Sequence, residues 1–164
     1  MIVEKPSIAK TIARILCKNN NLVDRTKEMR WCHFSFSGTF KGKKANFVIS
    51  AVSGHIYQTD FFGKYKDFNI DPIKLFDCPL VKKETNEDSF LNIDWLKQIS
   101  NNIDILCLWL DCDREGENIC YEVIYNVLPY MNKKYYQQIY RAIFSSLTKK
   151  DIINSFENIE ELSI

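Results

Sequence analysis

The chain has 164 residues, of which 46% are hydrophobic, 13% aromatic and 26% charged. These values are those of one ordinary globular domain, and they exclude a disordered or collagen-like chain. A domain of this length buries roughly 70% of the surface of its unfolded chain, so it needs neither disulfides nor a structural metal. The 22 basic and 21 acidic residues give a net charge of +1. This excludes a strongly basic polyanion binder, so any binding of nucleic acid depends on a local cluster of basic groups.

The cysteines and the apolar stretches bear on the compartment of the protein. The six cysteines form no C-x-x-C pair and have no histidines at zinc-finger spacing, so we expect free thiols and no zinc site. Free thiols are typical of a reducing compartment. The first residues lack the apolar segment of a signal peptide, and the longest strongly apolar stretch, residues 105–110, is far too short to cross a bilayer. The sequence therefore predicts an intracellular protein without a membrane partner.

The first third of the chain predicts a strand, a helix and a hairpin. Ile2 and Val3 form a short apolar strand, and Ser7 is expected to cap a helix whose apolar face is formed by Ile8, Ile12, Ile15 and Leu16. Phenylalanine and serine alternate from residue 34, turn residues follow at 41–43, and a second apolar arm ends at residue 49. This pattern predicts an inserted β-hairpin with an exposed, lysine-rich tip.

The stretch from residue 53 to residue 87 has no clear period. Aromatic residues, charged residues and two prolines alternate there, which indicates a long surface excursion, and residues 56–88 receive no predicted secondary structure. Stacking aromatics normally stand on a charged sheet face. Five phenylalanines of the hairpin and the excursion are therefore expected in the core rather than in a base-stacking surface, namely Phe34, Phe36, Phe40, Phe61 and Phe62.

The second half of the chain predicts alternating helices and strands. A helix is expected over residues 90–100, where apolar residues repeat every four positions. Residues 103–110 are almost continuously apolar, which predicts the central strand of a parallel sheet, covered on both faces. A helix over 116–129, a strand over 137–144 and a final helix capped by Thr148 complete the order. We therefore expect an α/β fold with an open, mainly parallel sheet flanked by helices.

Ligand sites of open α/β sheets lie at the carboxyl ends of the strands. Acids follow two of the predicted strands, with Glu4 after the first strand and Asp111, Asp113 and Glu115 after the central one. The last three occupy alternate positions, so in an extended segment their carboxylates point the same way and repel one another. A cation relieves that repulsion, and oxygen ligands without histidine or thiolate select Mg²⁺, with Mn²⁺ as a substitute. The alternative is a solvated loop whose acids only complement the dipole of the following helix.

Five further side chains are candidates for the site. Glu4 is expected to bind metal or transfer a proton if the first strand lies beside the central one, and the alternative for it is an ordinary surface acid. Lys5, Lys10 and Arg114 are candidate phosphate-binding groups, although a solvated lysine is an equally open interpretation. His55 follows a Ser-Gly pair and is expected either to donate to a phosphate or to have a structural role in its loop.

Three motifs, in this order and spacing, resemble those of the Toprim domain of type IA DNA topoisomerases: EKPS at 4–7, SGH at 53–55 and LWLDCDREGENI at 108–119. Within that family the chain resembles the eukaryotic topoisomerase III group, and its beta branch best. Three further segments carry this second resemblance, at residues 37–40, 60–65 and 144–148. The similarity spans nearly all of the chain.

The resemblance implies a magnesium-dependent enzyme that cuts one strand of DNA, or of RNA in the beta branch, passes another strand through the break and reseals it without ATP. By position, Asp111, Asp113 and Glu115 correspond to the acidic triad of the family, Glu4 to its first-strand glutamate, and Lys5 to the lysine that steadies the scissile phosphate. The implied partners are single-stranded DNA or RNA, the remaining topoisomerase domains, and a helicase or scaffold protein. The implied location is the nucleus, with the cytoplasm as a second site.

The family continues into gate domains and a domain that carries the nucleophilic tyrosine. We therefore expect residues 1–164 to be the Toprim domain of a longer topoisomerase, unable alone to relax supercoiled DNA or to form a covalent adduct. The first strand is shorter than in related chains, which predicts a frayed edge. Two other hypotheses stay open, namely a stand-alone Toprim nuclease or primase-like phosphoryl-transfer enzyme, and a non-catalytic module that binds nucleic acid or a protein partner.

Overall fold

The computed structural model describes residues 1–18, 21–29, 31–67, 69–85, 87–132 and 138–162. Within these ranges it contains nine β-strands and five α-helices. The strands are β1 (Ile2–Val3), β2 (Val23–Asp24), β3 (Phe34–Phe40), β4 (Lys43–Ala51), β5 (Tyr57–Phe61), β6 (Leu80–Glu84), β7 (Leu106–Trp109), β8 (Ile139–Arg141) and β9 (Glu160–Glu161). The helices are α1 (Pro6–Leu16), α2 (Thr26–Met29), α3 (Glu87–Ser100), α4 (Arg114–Val127) and α5 (Lys149–Glu157).

Seven of the described strands form one sheet, in the order β2-β3-β4-β1-β7-β8-β9. The four inner strands, β4, β1, β7 and β8, are parallel, and the strands outside them pair in the antiparallel direction. The predicted α/β fold and its β3–β4 hairpin are thus confirmed. The prediction of a frayed first strand is wrong, because β1 lies in the middle of the sheet, where Val3 pairs with Ala51 on one side and with Trp109 on the other. The strand predicted to be central, β7, is the neighbour of the middle strand β1.

Helices cover both faces of the sheet, and each face has its own apolar core. On one face α1 and α5 pack over side chains such as Val3, Ile49 and Trp109. On the other face α3 and α4 pack over a second set, which includes Ile2 and Leu108. All four residues of β7 are buried, which confirms the prediction of a strand covered on both faces. No helix in the described residues is long and apolar enough to cross a membrane, and all six cysteines are free thiols.

The helix starts differ from those predicted. Lys5, not Ser7, is the N-cap of α1, because Pro6 occupies the first helical position, where a residue without an N–H group is well tolerated. Helix α4 begins at Arg114, two residues before Gly116. The cap of α5 is as predicted, since the Thr148 hydroxyl accepts a hydrogen bond from the N–H of Asp151. The elements β2, α2 and β9 were not predicted, because such short segments carry no period.

The excursion contains a second, smaller sheet. Strands β5 and β6 pair as a two-stranded antiparallel ribbon, with two short 3₁₀ turns between them, Gly63–Lys66 and Pro72–Leu75. Most of the ribbon is exposed on both faces, so no alternation of apolar and polar residues marks it in the sequence. Phe62 is 58% exposed, so its predicted place in the core is wrong, whereas the three phenylalanines of the hairpin are buried as expected.

Candidate active site

The ends of three neighbouring strands are joined at one edge of the sheet. The backbone N–H of Val52 donates to the carbonyl of Val3 at 3.0 Å, and that of Ser53 donates to the carbonyl of Glu4 at 2.8 Å. Ser53 and Gly54 then adopt left-handed φ angles of 61° and 94°, a conformation that glycine accepts without strain. The turn sends His55 toward the beginning of α4. The segments after β4, β1 and β7 therefore leave the sheet side by side.

Glu4 and Asp111 form the centre of this edge. They follow the paired strands β1 and β7, which brings Asp111 within reach of the charge of Glu4. Burial raises the pKa of the Asp111 carboxyl, and the negative charge of Glu4 raises it further. Lys5 Nζ lies 3.0 Å from Glu4 Oε1, and this hydrogen bond raises the pKa of Lys5. A role for Glu4 in metal binding or proton transfer was expected only if the first strand lies beside the central one, and β1 does pair with β7.

Asp113 and Glu115 do not extend the line of carboxylates. Asp113 is the N-cap of α4, and its Oδ1 accepts the N–H of Gly116 at 2.7 Å. Glu115 lies in the first helical turn, is 67% exposed, and places Oε1 3.4 Å from His55 Nε2. Because the segment becomes helical at Arg114, the alternate spacing expected for an extended chain does not align the three carboxylates. We call Glu4, Asp111, Asp113 and Glu115 together the acidic edge.

The donor chemistry of the acidic edge suits a hard divalent cation. Among the residues that the structure describes, no three histidine, cysteine or acidic side chains are gathered in a way that could hold a metal ion. The carboxylates of Glu4 and Asp111 are adjacent, however, and the charge of Asp113 also acts on Asp111. All these donors are oxygens, which Mg²⁺ and Mn²⁺ prefer. In the described part of the chain, the four acids therefore do not form a ready-made cation site.

His55 connects the acidic edge to a buried acid on α4. Its Nε2 faces Glu115, and its Nδ1 lies 3.5 Å from Oε1 of Glu122. Glu122 is only 6% exposed, and its Oε2 accepts the backbone N–H of Ile56 at 2.8 Å. Asn118 donates its side-chain amide to Glu122 Oε1 at 3.2 Å. The sequence analysis missed Glu122, although an acid on the apolar face of a predicted helix is a signal that could have found it.

Comparison of the sequence with known proteins assigns the chain to a family. The model of the Toprim domain family matches residues 1–147.

The chain belongs to the Toprim domain family.

Three curated relatives agree with this assignment. The chain is 39% identical over 165 residues to DNA topoisomerase 3-beta-1 of Mus musculus, and the match covers 98% of the chain and 19% of the relative. It is 40% identical over 162 residues to DNA topoisomerase 3-beta of Arabidopsis thaliana, with 98% and 18% covered. It is 34% identical over 164 residues to DNA topoisomerase 3-alpha of the same plant, with 98% and 17% covered. The chain therefore spans about a fifth of the length of the curated relatives it matches, and its resemblance to the topoisomerase III group is confirmed.

A buried arginine of this Toprim domain binds the main chain of the acidic edge. Arg141, at the end of β8, is 2% exposed. Its Nη1 donates to the carbonyl of Leu110 at 2.7 Å, and its Nη2 donates to the carbonyl of Asp111 at 2.9 Å. Nη2 also lies 2.7 Å from Glu117 Oε1, which balances the charge. The guanidinium thus holds the main chain of Leu110 and Asp111 in place.

Sequence reasoning missed Arg141 because it belongs to no motif of acids. The signal that could have found it is an arginine between Tyr140 and Ala142 in a buried strand, since a charged residue is almost never fully buried without partners. Gly116 supports the same loop by sterics. A β-carbon at this position would overlap the carbonyl oxygen of Asp111, so the first turn of α4 approaches the loop more closely than any side chain permits.

The two remaining predicted phosphate-binding residues lie outside this contact network. Lys10 is exposed on α1, and its charge acts on Asp24 of β2. Arg114 is the exposed first residue of α4, directly after Asp113. The Toprim domain therefore brings Glu4 and Lys5 to the same edge as Asp111, whereas Asp113 caps α4 and Glu115 faces His55.

Proposed function

We propose that this Toprim domain supplies the acidic half of the active site of a type IA DNA topoisomerase. Such an enzyme changes DNA topology by cutting one strand, passing another through the break and resealing it. The observation that carries the proposal is the parallel pairing of β1 with β7, which puts Glu4 and Asp111 at the same edge of the sheet, where the charge of Glu4 acts on Asp111. The names of the relatives, DNA topoisomerases 3-beta and 3-alpha, support the same activity.

In this proposal the acidic edge holds Mg²⁺. Glu4 and Asp111 are the first ligands, and Asp113 and Glu115 complete the set after rotation of their side chains. The cation, when bound, offsets the negative charge of the acids and of a DNA phosphate. Lys5 is placed beside Glu4 to contact a phosphate oxygen. Arg141 holds the main chain of residues 110 and 111 in place while the side chains change partners.

The position of the nucleophile, the use of RNA, the protein partners and the cellular location are further parts of the proposal. The nucleophilic tyrosine is proposed to lie in a part of the protein outside this chain, so the chain alone is expected neither to relax supercoiled DNA nor to form a covalent adduct with it. Cleavage of single-stranded DNA to free ends by the chain alone would instead support a nuclease. RNA as a substrate, a helicase or scaffold partner, and a location in the nucleus with a share in the cytoplasm rest on the resemblance.

Calorimetric titration with Mn²⁺ tests the metal assignment. We expect saturable binding by the chain and none by the double variant Asp111→Asn/Asp113→Asn, because that change replaces two negatively charged carboxylates with neutral amides of nearly the same volume. The double variant Asp77→Asn/Asp94→Asn is the matched control, since it removes the same charge at two exposed sites. Equal binding by all three proteins would contradict the assignment. Circular dichroism of each variant separates lost binding from lost folding.

A further inference from the structure

The outer face of α4 borders an open groove that the proposed activity does not yet use. The groove has a volume of about 750 Å³ and lies between α4, the 3₁₀ turn that follows it, the end of α3 and the β5–β6 ribbon. Three tyrosines line it and remain exposed, Tyr121 at 71%, Tyr125 at 77% and Tyr130 at 42%. We call it the tyrosine groove. The opposite face of α4 already fills the apolar core, so these rings are not needed for folding.

The polar lining of the groove favours an anion. Lys82 and Lys97 both line it, and the ammonium of Lys97 lies 5.7 Å from the centre of the Tyr130 ring. Among the described residues that line the groove, Glu122 is the one acid. It is buried and accepts hydrogen bonds from the N–H of Ile56 and the amide of Asn118. The groove therefore presents aromatic faces and positive charge to a ligand.

The tyrosine groove is continuous with the acidic edge. A second cavity of about 420 Å³ shares Tyr57, Lys82, Asn118 and Glu122 with the groove and reaches His55. His55 in turn lies 3.4 Å from Glu115. The helix rises roughly 15 Å between Glu115 and Tyr125, so a strand of a few nucleotides is long enough to reach from the acidic edge to the groove.

We propose that the tyrosine groove binds an unpaired polynucleotide strand on its way to or from the acidic edge. Tyr121 and Tyr125 are one helical turn apart, so their rings stack on successive bases, while Lys82 and Lys97 contact phosphates. Exposed tyrosines also suit a protein partner, but the lysines and the connection to His55 favour a nucleic-acid strand. This inference rests on the proposed function, because it takes the acidic edge to be the site of DNA cleavage.

Fluorescence anisotropy with a labelled oligothymidylate in EDTA tests the proposal. We expect the chain to bind the oligonucleotide and Tyr121→Ala/Tyr125→Ala to weaken binding about tenfold or more, because each stacked base contributes substantially to affinity. Tyr121→Phe/Tyr125→Phe keeps the rings and is expected to bind like the parent chain. Phe76→Ala removes a 91% exposed ring outside the groove and is expected to have no effect. Lys97→Gln is expected to reduce the salt dependence of binding, whereas Lys74→Gln is not.

A second readout locates the strand directly. Photocrosslinking with an oligonucleotide that contains 5-iododeoxyuridine is expected to label the tryptic peptide of residues 115–133, which contains the three exposed tyrosines of the groove. Equal affinity of the Tyr→Ala double variant and the parent chain would overturn the proposal. Equally strong competition by a duplex without single-stranded ends would also overturn it, since paired bases cannot stack on the rings.

The two proposals fail separately. If the Tyr→Ala double variant binds the oligonucleotide normally while Asp111→Asn/Asp113→Asn loses Mn²⁺, the groove is refuted and the metal assignment stands. If the groove variants lose the oligonucleotide while Mn²⁺ binding is absent from the parent chain, strand binding by the groove is supported and the metal assignment fails.

Discussion

Arg141 and Glu115 both carry charge at the carboxyl end of the sheet, yet they are held very differently. Arg141 is 2% exposed and donates to the carbonyls of Leu110, Asp111 and Ala142. The Glu115 side chain is 67% exposed and faces His55 at 3.4 Å. Buried bonds of the first kind are costly to break, whereas exposed ion pairs contribute about 0 to 1 kcal/mol. The fold thus fixes the backbone that carries Asp111 and leaves the Glu115 carboxylate free to change partners.

The largest effect on stability is expected from replacing the buried Arg141. Arg141→Met leaves the carbonyls of Leu110 and Asp111 without their donor in a buried environment, so we expect a loss of about 3 kcal/mol in the free energy of unfolding. Urea denaturation measures it. Arg114→Met is the matched control, because it removes the same group from an exposed position and is expected to change stability by less than about 0.5 kcal/mol. Similar losses of unfolding free energy in both variants would show that the buried Arg141 contributes no more to stability than the exposed Arg114.

Steric support is expected to give an intermediate effect. Replacement of a helical glycine by alanine ordinarily stabilises a protein, by roughly 1 kcal/mol in a helix interior. Gly116→Ala is expected to do the reverse and cost about 2 kcal/mol, because the added methyl group overlaps the carbonyl oxygen of Asp111. The same variant should also weaken Mn²⁺ binding, since the loop has to move. A stabilised variant with unchanged metal binding would show that the contact is not required.

The smallest effect on stability is expected from the carboxylates of the acidic edge, and it depends on pH. The pKa of Asp111 is raised above its ordinary value of 3.8 by burial and by Glu4, so the folded chain binds more protons than the unfolded chain just above that pH. Stability from this group is therefore present at low pH and is lost as the pH rises through the raised pKa. Asp111→Asn removes that loss and is expected to be more stable near neutral pH by about 1 kcal/mol or less.

Urea denaturation at a series of pH values, without metal, measures this difference. The control is Asp77→Asn, which removes an exposed acid distant in sequence from the acidic edge. If Asp111→Asn follows the pH dependence of the parent chain throughout, the Glu4 and Asp111 carboxyl groups do not repel each other in solution.

The elements that the sequence predicted are those whose surroundings leave a local pattern. Strand β7 is buried on both faces and appears as a continuous apolar run, so it was found. The β5–β6 ribbon is mostly exposed and carries no alternation, so it was not. The spacing of acids predicted that the residues after β7 belong to the site, but it also suggested aligned carboxylates. That detail failed because α4 begins at Arg114 and takes Asp113 as its cap.

The sequence by itself determined the longer helices, the buried strands and the hairpin, and the motifs that place the chain in the Toprim family, because all of these depend on residues that are near one another in the chain. The tertiary structure alone decided that Glu4 and Asp111 lie at the same edge of the sheet, that Arg141 binds the backbone of the acidic loop, and that tyrosines of α4 line a groove next to His55. Each of these contacts joins residues far apart in sequence, through the pairing of strands and the packing of helices on a sheet. No local period records such contacts, since they depend on which strands become neighbours when the whole chain folds.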